Sequence, residues 1–254
     1  MGYESINTAR SALSSLGIVV DGCRAGNHPL VARFMKGVFN LRPPLPRYAA
    51  IWDVQPVLRQ LQSMHPVQSL SLKDLSLKLV MLMALTQAAR LQTLHLFTIK
   101  GLCIEQDCIV VPLRGNIKQC RPRFNVRVVK FRAYPTDVRL CVCDTLRQYL
   151  DCTRELRGMG QDSLFLSFIK PHKAVTRDSI ARWLRKMLTL SGVDTSVFKA
   201  GSVRAAAASK AKAAAVPINC IMEKAGWSRE STFAKFYDKC VSQTDIFQDA
   251  VLQQ

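Results

Sequence analysis

Five residues of this chain carry side chains suited to gripping and opening a phosphate ester: Arg90, Lys118, Arg204, Trp227 and Tyr237. Arg90 lies near the end of the apolar stretch "SLKDLSLKLVMLMALTQAARLQTLHLF", residues 71–97. Its nearest upstream acid, Asp74, is about four helical turns away. A semi-buried arginine with no local acid takes its anion from elsewhere in the fold or from a substrate. Arg204 lies in "GSVRAAAASKAKAAA". If Ser202 caps that helix, Arg204 falls in the first turn, where free N–H groups and the positive dipole end gather. Taken alone, it reads better as a surface arginine on an alanine-rich helix. Lys118 reads equally well as a solvated charge or as a proton donor. Phe233, Phe236 and Tyr237 fall at i, i+3 and i+4, the spacing of a core stripe, and Trp227 follows Gly226 where it could simply pack. As a set they compose a phosphoryl-transfer site. Two guanidinium forks stabilise charge on the nonbridging oxygens, the tyrosine oxygen attacks, the indole N–H donates, and a lysine protonates the departing oxygen. Such a site draws on no metal and no cofactor.

These residues must be positioned by surrounding elements. "INTARSALSSL" and "HPLVARFMKGVFN" read as helices, with Pro29 in a first turn. "LRPPLPRY", residues 41–48, is a proline-rich, semi-rigid connector and the best domain boundary. What precedes it is too small to hold a core alone. "WDVQPVLRQLQSM" reads as a helix, and residues 71–97 give the strongest helical signal, with Leu72, Leu75, Leu79, Leu82 and Leu85 or Thr86 in helical repeat. From Gly101 to Pro135 the pattern changes. "CIVVPL", "IKQC" and "VRVVKF" predict two or three antiparallel strands with turns at "RGN" and "RPRFN". Helices then resume: residues 144–156 capped by Asp144, then residues 177–191 capped by Thr176 and stopped by Gly192. Three short helices follow, opened by Ser202, Pro217 and Ser228, with Gly226 stopping the second, and a last amphipathic piece "DIFQDAVLQ". The fold class is mainly α with a small antiparallel β-sheet.

Lys plus Arg number 36 against 18 acids in 254 residues, a formal charge of +18. Folding does not need that excess, and a polyphosphate is the commonest partner for it. Arg114, Arg121, Arg123, Arg127 and Lys130 in the strand region, with His172, Lys173, Arg177 and Lys210, are the candidate DNA-binding residues. The most apolar run, "LVMLMAL", is too short to cross a bilayer, so no membrane partner is expected. The N-terminus lacks the basic and apolar regions of a secretory signal. Nine cysteines, an odd number without a C-x-x-C pair, predict reduced thiols and no zinc site.

The stretches "ALTQAARLQTLHL", "LCVCDTLRQYLDCTRELRG", "LFLSFIKPHKAVTRDSIARWL" and "FKAGSVRAAAASKAKAAAVPINCIMEKAGWSRESTFAKFYDK", with "HPLVARFMKGVFNLRPPLPRY" upstream, resemble the tyrosine recombinases. Within that family the chain is most similar to recombinases of DIRS-type eukaryotic mobile elements. The resemblance is densest over residues 65–240. It implies a tyrosine recombinase (integrase-like) catalytic domain over residues 46–254, ending in a tail. Residues 1–45 then resemble the last part of a helical, DNA-clamping core-binding domain with its linker. It implies that Arg90 and Arg204 are the two catalytic arginines and that Tyr237 forms a 3′-phosphotyrosyl link. Trp227 then holds the scissile phosphate, and Lys118 is the general acid. The implied partners are double-stranded DNA and further copies of the chain, joined through the C-terminal tail. The implied activity is metal-independent DNA recombination and integration, in the nucleus.

One position departs from the family pattern. The second arginine usually follows a histidine by three residues, and here that place is Gly201 in "GSVR". Losing one oxyanion donor costs roughly a hundred- to thousand-fold in rate. Three expectations follow: an active or impaired strand-transfer enzyme, a DNA-binding remnant that no longer cuts, and a metal-dependent nuclease. The last is disfavoured because no spaced carboxylate cluster is found.

Overall fold

The computed structural model describes residues 2–45, 48–118, 120, 125–227 and 230–237, and at 232, 235 and 236 the backbone alone. The chain divides into two compact units, Met1–Arg47 and Tyr48–Gln254.

The first unit holds helix α1 (Tyr3–Ser15), a two-residue hairpin of β1 (Val19–Val20) and β2 (Cys23–Arg24), and helix α2 (Pro29–Leu41). Pro29 opens α2 where its missing N–H costs nothing. Tyr3 meets Phe39 edge to face at 5.4 Å. Met35 is the hydrophobic side chain that this unit buries among the described residues. A piece this small cannot wrap more.

The second unit is built around α4 (Leu72–Thr86). Ser71 caps it, its hydroxyl accepting from the Asp74 amide at 3.1 Å. Every residue from Leu75 to Ala84 is buried, because α6 (Val142–Thr153), α7 (Arg177–Leu190) and α8 (Ser202–Ala213) all pack on this helix. Trimming one of its leucines to alanine would cost about 2–5 kcal/mol. Even Lys78 is fully buried. Its ammonium donates to the Leu61 carbonyl at 3.0 Å and to the Met64 carbonyl, closing the end of α3 (Gln55–Ser63). Burial holds that amine down at about 8, against the opposing pull of Asp137.

The sheet runs β3 (Cys103–Ile104), β4 (Cys108–Pro112), β5 (Val128–Arg132), all antiparallel, with Cys108 opposite Arg132 and Pro112 opposite Val128. On β5, Phe131 points into the core while Lys130 and Arg132 are exposed, a period of two that leaves charges on an edge strand. The unit is thus mainly helical with a small antiparallel sheet. Among the described residues no helix is long and apolar enough to cross a membrane.

Several local expectations need correction. Residues 71–97 are not one helix: α4 ends at Thr86 and a separate α5 (Leu91–Leu96) begins after Arg90. Ala88 adopts φ 41°, the Ala88 amide bonds to the Leu85 carbonyl and the Ala89 amide to the Ala84 carbonyl. That is a Schellman ending with alanine in the left-handed position, where the sequence shows no glycine to announce it. "IKQC" is not a strand: the Cys120 amide bonds back to the Ile117 carbonyl, making a turn inside the β4–β5 connection. Asp144 lies in the first turn of α6, whose cap is Cys141. Ser202 is the first residue of α8 rather than its cap, and its hydroxyl accepts from the Trp52 indole at 2.8 Å. Thr176, Pro217 and Gly226 sit at the helix ends expected of them. Ser228, the Phe236 side chain and "DIFQDAVLQ" lie outside the described residues.

Candidate functional site

Four of the five chemically suited residues meet where the ends of α4 and α9 (Ile218–Ala225) face the start of α8. Arg90 occupies the cap position of α5 with extended backbone (φ −80°, ψ 151°). Arg204 is the third residue of α8 and only 4% exposed, which overturns the surface-arginine reading. Its fork reaches two main-chain carbonyls, Ala88 at 2.6 Å and Ala225 at 2.7 Å. Both carbonyls belong to helix ends, which leave such groups without intrahelical partners. Gly226 ends α9 at φ 68°, and the Trp227 amide bonds to the Met222 carbonyl, so this ending repeats the one at Ala88.

Two tilted rings pack beside that fork. Trp227 and Tyr237 lie with centroids 4.3 Å apart, and the Arg204 guanidinium carbon is 4.5 Å from the Trp227 centroid and 5.5 Å from that of Tyr237. Phe233 on α10 (Glu230–Phe236) is buried against Trp227. The Tyr237 amide bonds to the Phe233 carbonyl at 2.8 Å.

The polar atoms of this cluster are incompletely used. Among the described residues, the buried side-chain nitrogens or oxygens without a hydrogen-bond partner are Arg90 Nη1, Arg204 Nε and Trp227 Nε1. A buried donor left unpaired costs about 1–3 kcal/mol. Three in one cluster, two of them on cations, are donors of the kind that a small anion satisfies. Burial, and then repulsion by Arg90, lower the Arg204 guanidinium to about 10, and Tyr237 partly offsets this. A hollow of about 400 Å³ opens along the chain neighbours of Arg90 and Trp227, lined by Ala89, Thr93, Ile117, Lys130, Lys224 and Gly226. Burial and the nearby Arg132 lower the Lys224 ammonium.

Lys118 is exposed on the turn beyond β4, where its amide donates to Gln92 Oε1 at 3.3 Å. No ring or hydrogen-bond contact ties its side chain to the other four among the described residues. Gly201 caps α8 with helical backbone (φ −67°, ψ −15°), and a Cβ there would meet nothing within 4 Å. Neither backbone nor space demands a glycine.

The candidate DNA-binding residues separate. Arg114 is exposed, its fork anchored on Ser163 Oγ and the His95 carbonyl. His95 is lowered first by burial, then by the charges of Arg114 and Arg177, so these two arginines share one cationic neighbourhood. Arg177 opens α7, and Lys173 and Arg127 are exposed. His172 stands at φ 56°, its Nδ1 bonded to the Ser167 carbonyl at 2.9 Å. Lys130 pairs with Glu105 at 3.5 Å. Lys210 is half-buried on α8, and Arg121 and Arg123 lie outside the described residues. The sequence reading missed Ser209, whose hydroxyl reaches the Tyr237 carbonyl, and the carbonyls of Ala88 and Ala225. No residue type announces a carbonyl as a ligand. Ser209 could have been noticed as the polar residue in an alanine run, one residue past a full turn from Arg204.

No family model matches the sequence, and no curated protein matches it. Solved structures do match its fold. XerH site-specific recombinase bound to palindromic difH substrate, a post-cleavage complex, superposes with a TM-score of 0.58 at 12% identity, over 99% of this chain and 72% of that one. XerA recombinase gives 0.56 at 14%, over 98% and 81%. The Tn1549 transposon integrase in complex with circular intermediate DNA gives 0.54 at 12%, over 100% and 80%. The chain has the tyrosine recombinase fold, shared with DNA-binding recombinases and integrases.

Proposed function

We propose that this chain is a DNA strand transferase that works through a tyrosine-linked intermediate. One observation carries the reading: the buried donors of Arg90, Arg204 and Trp227, unpartnered among the described residues, converge beside the ring of Tyr237. A phosphodiester brings the missing acceptors. The Tyr237 oxygen, giving up its proton to solvent, attacks phosphorus and the bond to the 5′-oxygen breaks. The 3′-phosphate stays on the tyrosine, and a 5′-hydroxyl leaves after taking a proton. Arg90 and Arg204 hold the nonbridging oxygens, Trp227 Nε1 donates to one of them, and Lys118 supplies the proton. Attack of a second strand's 5′-hydroxyl reverses the step and rejoins DNA. Arg114, Arg127 and Arg177 hold the duplex backbone. Fold relatives solved as DNA complexes, and the charge of +18, support double-stranded DNA as the partner. The reading extends to a mobile element of DIRS type, acting in the nucleus as a homo-oligomer whose C-terminal tail reaches a neighbouring copy.

The test is a nicked suicide duplex that traps the intermediate. Wild-type protein should give a covalent protein–DNA species that Tyr237→Phe abolishes. DNA binding without any such species would sink the proposal. It would favour the second reading, a DNA-binding remnant, for which Gly201 in place of a donor is the specific support.

A further inference from the structure

Ser209 lies on α8, five residues beyond Arg204, and is only 3% exposed. Its hydroxyl donates a 2.6 Å hydrogen bond to the main-chain carbonyl of Tyr237. Several serines in or just past other helices bond within their own helix. Ser11, Ser15, Ser76 and Ser191 turn their hydroxyls onto a carbonyl four residues back in the chain. Ser209 sends a bond across to the end of α10.

The acceptor matters. Carbonyls at the end of a helix have no intrahelical donor. The Tyr237 amide is engaged by α10 through Phe233, and the Tyr237 carbonyl by α8 through Ser209. The tyrosine backbone is therefore tied at both ends of one residue. The second tie runs to the helix that carries Arg204. Residues 204 and 209 are separated by about 7.5 Å along a rigid axis. We propose that Ser209 is a positioning residue that sets the height of Tyr237 against Arg204, so that one chain supplies both nucleophile and phosphate clamp in fixed register. Ser209 touches neither the phosphate nor the reacting atoms and acts through the Tyr237 backbone. The inference rests on Tyr237 being the nucleophile proposed above.

Misplacing a reacting group by about 1 Å can cost on the order of a hundredfold in rate. Ser209→Ala should therefore slow single-turnover formation of the covalent species by about 10- to 100-fold on the suicide duplex. DNA affinity should be unchanged, since no phosphate-holding group is altered. Alanine favours helix over serine, so α8 itself is not weakened. Ser209→Thr, which keeps the hydroxyl, should recover most of the rate. A readout independent of turnover is ¹⁹F NMR of the DNA-free protein labelled with 3-fluorotyrosine. The Tyr237 signal, identified by its loss in Tyr237→Phe, should move in Ser209→Ala, while those of the other four tyrosines stay in place. Wild-type protein that forms the species while Ser209→Ala forms it equally fast overturns the inference and leaves the nucleophile reading standing. An unmoved Tyr237 signal also overturns it, as does a parallel loss of rate and DNA affinity that threonine does not repair. Wild-type protein that forms no covalent species fails the nucleophile reading, and this inference falls with it.

Discussion

Replacing Arg90 with methionine should stabilise the free protein while disabling the proposed phosphate site. Arg90 Nη1 is buried without a partner among the described residues, and its charge lies close enough to Arg204 to help lower that guanidinium. Methionine keeps the apolar stem of the side chain and removes both penalties. The unpaired donor alone costs about 1–3 kcal/mol. Some packing is lost, so a net gain of about 1–2 kcal/mol is expected, or ~2–8 °C in melting temperature for a unit of this size. The assay is thermal unfolding at low ionic strength in a buffer without polyvalent anions, repeated with sulfate. Wild-type protein should gain about 1.4 kcal/mol when sulfate is tenfold above its dissociation constant. Arg90→Met should gain much less, and it should form no covalent species on the suicide duplex. A variant that melts below wild type without anion would show that Arg90 holds part of the fold together. Equal sulfate stabilisation of the two proteins would place the anion elsewhere. Either result refutes the reasoning.

Three further outcomes follow from the geometry. Gly201→His should raise the rate of covalent-complex formation tenfold or more without lowering the melting temperature, because the helical backbone and open space at 201 accept a side chain; an unchanged rate would show that this position no longer faces the phosphate. Trp227→Phe keeps a ring on Tyr237 but deletes the unpartnered N–H, so covalent-complex formation should slow by about a hundredfold, and a change of less than threefold would remove Trp227 from the phosphate. Lys78 has a folded-state value of about 8 against 10.5 unfolded, so between these pH values the unfolded chain holds more protons and stability rises with pH, by at most about 1.4 kcal/mol per pH unit. Urea unfolding from pH 7 to 10.5 should show that rise weakened in Lys78→Met, and identical slopes would contradict it.

Much of the helical framework was legible because its signals are local. Thr176 accepts from the Ser179 amide, and Gly226 takes the left-handed position that its lack of a side chain allows. The two-residue period of "VRVVKF" marks β5, since Phe131 turns inward and its charged neighbours outward. The break after Thr86 was hidden for the opposite reason. Apolar periodicity runs through it, and an alanine does there what glycine normally does. Ser202 was misplaced because its hydroxyl serves Trp52, 150 residues away in sequence, a partner that no local pattern shows. The meeting of Arg90, Arg204, Trp227 and Tyr237 could be drawn from family resemblance. Their spacing alone supported packing equally well, and only the tertiary fold shows which donors remain unused.

That distinction bears on whether the chain cuts DNA. The terminal nitrogens of Arg204 are explained by folding, while its Nε is not. Two of its nitrogens satisfy main-chain carbonyls at two helix ends, Ala88 and Ala225. Removing it would take a donor from each, and a carbonyl left unpaired at Ala88 costs about 1–3 kcal/mol, out of a total stability of about 5–15 kcal/mol. A protein that only bound DNA would still need this arginine to fold, so its presence says little about catalysis. An Arg204→Ala variant that failed to cleave would say little more, because it would lose stability at the same time. Arg90 Nη1 and Trp227 Nε1 differ, since among the described residues nothing engages them and the fold would be easier to stabilise without them. Their burial beside Tyr237 is the part of the site that packing does not explain. The case for a phosphate at this place therefore rests on Arg90 and Trp227 more than on Arg204, and substitutions at those two positions separate chemistry from folding.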